Sequence, residues 1–275
     1  MLYQQSPQYL QVNHWMTLSD FQRIFLWEYA HRLLGRVLGI AFLLPWLYFI
    51  IRGHLSGRCA ARTFVAFALG GLQGLLGWYM VQSGLTDHPE VSHLRLAAHL
   101  GLAFFTALYI LGCWLKLRWP LPGARHRGAA RALLALGGLV AVQVICGAFM
   151  AGLRAGHLSN TFPLMQGSWF PVHLVSGMSL EQAAVWSPAG IHLIHRTMGW
   201  VVAFATLGCG FWVHRQARSS LQRRLSLAVT LVGVAQFSLG ALTVVLSVQP
   251  AVAVMHQIGA LALLCVISAC LYSFG

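Results

Sequence analysis

Seven stretches of this chain are apolar over twenty or so residues, at about 28–50, 63–82, 96–115, 132–153, 190–213, 225–247 and 251–273. At a rise of about 1.5 Å per residue each is long enough to cross roughly 30 Å of hydrocarbon as a helix. The pattern predicts an all-α integral membrane protein with seven transmembrane helices. The polar connections between the spans alternate in character. Arg52, Arg58 and Arg62 fall in the first, Lys116, Arg118, Arg125, Arg127 and Arg131 in the third, and Arg215, Arg218, Arg223 and Arg224 in the fifth. All five acids, Asp20, Glu28, Asp87, Glu90 and Glu181, fall on the opposite side. By the positive-inside rule the N-terminus is outside and the C-terminus cytoplasmic.

Composition sharpens this picture. With 58% hydrophobic and 8% charged residues, the chain is not a soluble domain wrapped around one core. A net charge of +13 would suit nucleic acid if the arginines were clustered, but they sit in short connections at the headgroups. The implied partner is the lipid bilayer, and no nucleic acid is expected. The opening "MLYQQSPQYLQVNHWMTLSD" has neither the basic start nor the apolar run of a cleavable signal. None of the six cysteines falls in the outer loops where disulfides form, and no Cys-x-x-Cys-His sequence is present for covalent heme attachment.

The chain repeats itself. "EYAHRLLGRVLG" in the first span resembles "HLIHRTMGWVVA" in the fifth, so that His31, Arg32 and Gly35 fall on His195, Arg196 and Gly199. Downstream, Gln73 and Gly77 of "LQGLLG" match Gln236 and Gly240 of "AQFSLG", and each half ends in a span opened by a histidine, His99 or His256. The halves are 1–117 and 118–275, two pseudo-repeated helical bundles of the kind that place a site at matched positions.

Topology puts His31, His99, His195 and His256 within the first turn or two of helices entering from the outside. Each half thus offers two imidazoles at similar height, and two imidazoles on neighbouring helices are what a six-coordinate heme requires. A lone histidine near a helix end is ordinarily interfacial, but two pairs at matched depth favour metal ligation. Zinc fits less well, since structural zinc sites want four convergent ligands. The solvated outer and inner positions of His14, His54, His88, His93, His126, His157, His173 and His214 give them no such role. His192 stands three residues before His195, as Glu28 stands before His31; it either orients a ligand or propionate or faces water.

Glu28 shares a helix face with His31, and its counterpart in the second half is a histidine. This asymmetry assigns chemistry to the first half and a resident cofactor to the second; the competing role for Glu28 is to favour a helix start through the dipole. Arg32, Arg95 and Arg196 are candidates to bind propionates, with Arg95, one turn outward of His99, preferred. Arg36 lies deeper in its span. Gln73, Gln143 and Gln236 read as interhelical hydrogen bonders, and Gly35, Gly39, Gly77, Gly199 and Gly240 as points of close approach. The outer loop 154–190 covers the sites or admits substrate, and "SLEQAAVW" forms a short interfacial helix beginning near Ser179.

The motifs "IFLWEYAHRLLGRVLGIAFLLP", "QGLLGWYMVQSGL", "RLAAHLG", "GAFMAGLRAG", "NTFPLMQGSW", "HRTMGW" and "MHQIGALALL", in this order, resemble the heme A synthase family, in its branch without an outer-loop cysteine pair. The resemblance covers nearly the whole chain. It implies an oxidoreductase that converts heme O to heme A by successive hydroxylations of the C8 methyl to a formyl group, for cytochrome oxidase. It further implies that His31 and His99 hold the substrate heme, that His195 and His256 hold a heme b, and that Glu28 is the essential acid near the reacting methyl. The implied setting is the bacterial inner membrane with the hemes near the periplasmic face. Heme O synthase and oxidase assembly factors are the partners the resemblance implies; an unidentified electron donor and a second copy of the chain are expected besides. Family members have eight spans, four per half; the first half here shows three, without the usual first helix. Two rival classes share part of the pattern. A non-catalytic diheme cytochrome fed by quinol needs the histidines but not Glu28, and a solute transporter would carry no heme.

Overall fold

In the computed structural model, residues 2–5, 8–82, 91–119 and 126–275 are described. Seven long helices follow one another: α1 (Leu18–Ile51), α2 (Gly57–Gln82), α3 (His93–Arg118), α4 (Arg127–Gly152), α5 (Pro188–Gln216), α6 (Ser220–Val245) and α7 (Pro250–Phe274). All seven are long and apolar enough to cross a membrane, and the described residues contain no strand. The chain is a multi-pass α-helical membrane protein.

The helices outrun the apolar stretches at their polar ends, for reasons local to each. Thr17 and Asp20 form a capping box, so α1 starts at Leu18, ten residues ahead of the expected edge. Ser219 and Gln222 do the same for α6. Ser187 caps α5 with Pro188 in its first turn, and α7 opens on Pro250, whose missing N–H would have had no helical partner. His126, expected to be merely solvated, accepts at Nδ1 from the Ala129 amide and caps α4. Arg58, Arg62, Lys116, Arg118, Arg127, Arg131, Arg215, Arg223 and Arg224 are not loop residues but sit on helix ends, where the backbone bonds continue and long side chains reach water from a helical stem. Arg125, Asp87, His88 and Glu90 lie outside the described residues.

The chain divides into two compact units, residues 1–109 and 110–275. In the first, α1 and α2 pack through Phe42 stacked on Phe67, and Trp46 Nε1 donates to Thr63 Oγ1 at 3.0 Å. The Tyr109 hydroxyl donates to the Arg62 carbonyl. An aromatic ladder of Tyr3, Phe21, Phe25 and Tyr29 runs along the outer part of α1.

In the second unit α4 touches α5, α5 touches α6, α6 touches α7 and α7 returns to α4, a closed four-helix ring. Leu133, Leu136, Val140, Ile191, Val213, Val229, Leu263 and Ile267 fill its interior. Large apolar side chains such as Phe204, Phe211, Leu231 and Ile258 point outward and are exposed. A surface of that kind is a liability in water and matches hydrocarbon. One end of the ring is tied by hydrogen bonds: Gln222 Nε2 to Ser273 O at 2.8 Å, His126 N to Phe274 O at 3.0 Å, His214 Nδ1 with Ser226 Oγ at 3.0 Å, and Tyr272 OH to Trp119 O at 2.6 Å.

The connection between α4 and α5 is built of short turns. Met165 and Ser168 exchange two backbone hydrogen bonds, and Met165 is buried. The expected helix in "SLEQAAVW" is present: Ser179 caps it through Gln182, and its last part, Gln182–Trp186, is a π-helical turn.

Candidate functional site

Each unit carries one pair of histidines. In the four-helix ring, His195 lies on α5 and His256 on the diagonal helix α7, and the two imidazoles are within electrostatic reach of one another. In the first unit the same holds for His31 on α1 and His99 on α3. His99, His195 and His256 stand six or seven residues beyond the starts of their helices, as expected. His31 stands thirteen beyond Leu18, because the capping box lengthens α1 at that end. It is exposed, whereas the other three are half-buried.

The surroundings of three of these rings follow one plan. Gln143 Nε2 on α4 donates to the backbone carbonyl of His195 at 2.8 Å. Gln73 Nε2 on α2 donates to the carbonyl of His99 at 3.1 Å and stands 3.3 Å from His99 Nε2. The backbone carbonyls of Gln143 and Gln236 lie toward the rings of His195 and His256 without completing a hydrogen bond; Nδ1 of His99, His195 and His256 is in each case buried and unpartnered. A buried polar atom left so costs about 1–3 kcal/mol, and it persists where the group has another use. The expectation that the glutamines make interhelical hydrogen bonds holds for Gln73 and Gln143. Gln236 instead presses its Oε1, without a partner, against Gly259.

These sites fit heme better than a metal caged by protein alone. Among the described residues no three His, Cys, Asp or Glu side chains converge. Two imidazoles per unit suffice only for an ion that brings its remaining ligands with it, as porphyrin iron does.

The flanking polar residues are placed as follows. Glu28 pairs with Arg32 one turn along α1, each half-exposed, and both line a cleft with Tyr3, Phe21, Phe25 and Val81. Arg95 lies over the Tyr79 ring at 3.8 Å and donates to the Tyr79 carbonyl at 2.8 Å. Arg196 donates to the carbonyls of Thr161, Pro163 and Leu164 at 2.8, 3.0 and 3.1 Å, and its guanidinium sits 5.6 Å from the Phe162 ring centroid. Protein groups thus already hold all three arginines named as propionate partners. His192 does not face water: it is fully buried, and neither ring nitrogen makes a hydrogen bond, although the Ala155 carbonyl approaches. His93, expected to be solvated, is also buried, at the start of α3.

Sequence reasoning missed two features. The backbone of 161–164 is the acceptor of Arg196, a long-range pairing with no local signal. Gly147 lies against His195 as Gly77 and Gly240 lie against His99 and His256. Its signal was available, because "QVICG" repeats the spacing of "QGLLG" and "QFSLG".

Comparison with known proteins gives a consistent picture. Residues 1–268 match the family model described as cytochrome oxidase assembly protein. The chain is 41% identical over 267 residues to a protein of Maricaulis maris named heme A synthase, covering 95% of this chain and 76% of that one. It is 41% identical over 269 residues to the protein of that name from Nitrosospira multiformis, covering 95% and 74%. A Flavobacterium psychrophilum protein, also so named, is 34% identical over 285 residues, covering 99% and 81%.

Proposed function

This chain belongs to the cytochrome oxidase assembly protein family, and from that premise we propose that it is a heme A synthase, oxidising the C8 methyl of heme O to a formyl group. The observation that carries the reading is the duplicated histidine pair, one in each unit, in a chain whose relatives are named for this activity. His31 and His99 hold the substrate heme O, and His195 and His256 hold a resident heme b.

Conversion of a methyl to a formyl group is a four-electron oxidation in which two hydrogens leave the carbon and one oxygen atom is added. Two successive hydroxylations give a gem-diol, which loses water. A heme b held by His195 and His256 would carry electrons one at a time between the substrate site and an external redox partner, which takes up those the methyl group loses. The chain's own residues do the rest. His31 and His99 fix the substrate on the unit that contains Glu28. Glu28 sits one turn from His31 and is oriented by its ion pair with Arg32, so it is placed to accept a proton from the reacting methyl or to offset positive charge developing there. Gln73 holds the helix that carries His99.

The protein lies in the bacterial inner membrane with its C-terminus cytoplasmic and both heme sites toward the outer face. It works with heme O synthase, oxidase assembly factors and an electron donor, and it is able to associate with a second copy. The alternation of basic connections supports this orientation.

The test is heterologous expression in a bacterium that makes heme O but has no heme A synthase. Heme A is expected in extracts, and purified protein is expected to carry heme b. His195→Ala and His256→Ala should lose the heme b, whereas His31→Ala and His99→Ala should keep it and make no heme A. Heme b without any conversion of heme O would instead identify a diheme cytochrome. Protein without heme would identify a transporter-like chain.

A further inference from the structure

Three turns of the form Gln-x-x-x-Gly occur in this protein, and each faces a histidine on the following helix. They are Gln73–Gly77 on α2 facing His99 on α3, Gln143–Gly147 on α4 facing His195 on α5, and Gln236–Gly240 on α6 facing His256 on α7. In all three the glycine meets the same edge of the ring. A Cβ on Gly77 would stand 2.9 Å from His99 Cε1, one on Gly147 would stand 3.2 Å from His195 Cε1, and one on Gly240 would stand 2.9 Å from His256 Cε1. One turn earlier the glutamine touches the helix that bears the histidine, at its carbonyl for His99 and His195 and at Gly259 for His256. His31 alone of the four has no such turn against it among the described residues.

Ordinary helix packing does not require this coincidence. Elsewhere in the second unit the neighbours of close glycines vary: Gly210 meets Thr230, Gly233 meets Thr206, Gly156 meets Val248, and Gly128 meets His126, a ring two residues away that caps its own helix. A ring held at Cε1 is limited in its rotation about the Cβ–Cγ bond, and a helix held at its carbonyl is limited in its sliding. Together the two contacts set where an imidazole nitrogen can stand and how its plane is turned. A ligating histidine also ordinarily gives its second ring N–H to a neighbouring acceptor, and the backbone carbonyls of Gln143 and Gln236 lie toward His195 and His256.

We infer that the Gln-x-x-x-Gly turn is a positioning element that fixes the height and rotation of the imidazoles of His99, His195 and His256. This rests on the reading of those histidines as heme ligands. The orientation of the axial imidazole planes and the hydrogen bonding behind them tune the iron, so the element acts on the spectrum and potential of the bound heme and not only on the stability of the bundle.

The experiment uses the full chain purified with its heme. The largest g value of the low-spin heme in electron paramagnetic resonance, the midpoint potential and the heme content are read for Gly147→Ala, Gly240→Ala, Gly77→Ala and Gly233→Ala. Gly240→Ala should shift the g value and potential of the resident heme, and Gly147→Ala should shift them less, because its added methyl meets the ring at a longer distance. Gly233 lies on the same helix as Gly240 but faces Thr206 on α5, so Gly233→Ala should lower thermal stability and leave g value and potential unchanged. Gly77→Ala, in the other unit, should leave the resident heme's signals unchanged and slow the conversion of heme O. Equal shifts in Gly233→Ala and Gly240→Ala would reduce the effect to general distortion and overturn the inference. So would wild-type signals in both Gly147→Ala and Gly240→Ala. Wild-type protein that purifies without heme would overturn the ligand assignment, and this inference with it.

Discussion

Gln143 and His195 are joined across the α4–α5 contact by a 2.8 Å hydrogen bond from the glutamine side chain to the histidine's own carbonyl, while Gln143 Oε1 is buried without a partner. The two halves of this amide act in opposite senses. Losing the bond costs about 0.5–1.5 kcal/mol, whereas removing the orphaned oxygen recovers about 1–3 kcal/mol. Gln143→Leu is therefore expected to melt, in detergent, no more than about 2 °C below wild type. A fall of ten degrees or more would show that the bond itself holds the bundle together.

Glu28→Gln separates chemistry from folding. The Glu28–Arg32 pair is half-exposed, and pairs of this kind contribute at most about 1 kcal/mol, so the variant should fold and keep its heme b. Heme A formation should fall by about 10²- to 10⁴-fold, the range of a lost general acid–base group. Retained synthesis of heme A in cells supplied with heme O would remove Glu28 from the mechanism.

Arg196 anchors the loop before α5 by donating to three carbonyls between Thr161 and Leu164. A lysine offers three donors from a single nitrogen and cannot span these acceptors as a planar fork does. Arg196→Lys should expose the 154–187 connection to proteolysis at least about tenfold faster, the equivalent of losing roughly 1.4 kcal/mol of local stability. Cleavage sites read by mass spectrometry report the effect directly.

His192 is fully buried with neither nitrogen hydrogen-bonded. Replacing such a group by an apolar one of similar size is expected to be neutral or to stabilise by about 1 kcal/mol, or roughly 2–4 °C in melting temperature. His192→Leu should thus melt no lower than wild type. If it also makes less heme A, the buried imidazole serves function at the expense of stability, whereas a marked loss of stability would mean that its nitrogens are satisfied in the protein as purified.

The seven spans were legible in the sequence because continuous hydrophobicity over twenty residues has one common explanation. Helix ends were less so. The extension of α1 to Leu18 depends on Thr17 and Asp20 bonding to backbone amides, a local signal that a hydropathy pattern does not weigh. The histidine pairs were visible through the internal repeat, since His31 with His99 and His195 with His256 recur at matched positions. The partners of Arg196 and the burial of His192 were not, because both depend on how the 154–187 connection folds back onto α5. Gly147 lay between these cases: its motif was present, but it belongs to a rhythm of helix pairs and not to the two-half repeat.

Most of the hydrogen bonds that tie the helices of the four-helix ring together lie at one extremity, with the Gln143–His195 bond nearer the other. Gln222 to Ser273, His126 to Phe274, His214 with Ser226 and Tyr272 to Trp119 gather where α4 and α6 begin and α5 and α7 end, while His195 and His256 sit near the opposite extremity. A substitution that loosens the histidine end therefore leaves the knot of bonds at the opposite end, and with it the join between all four helices, in place.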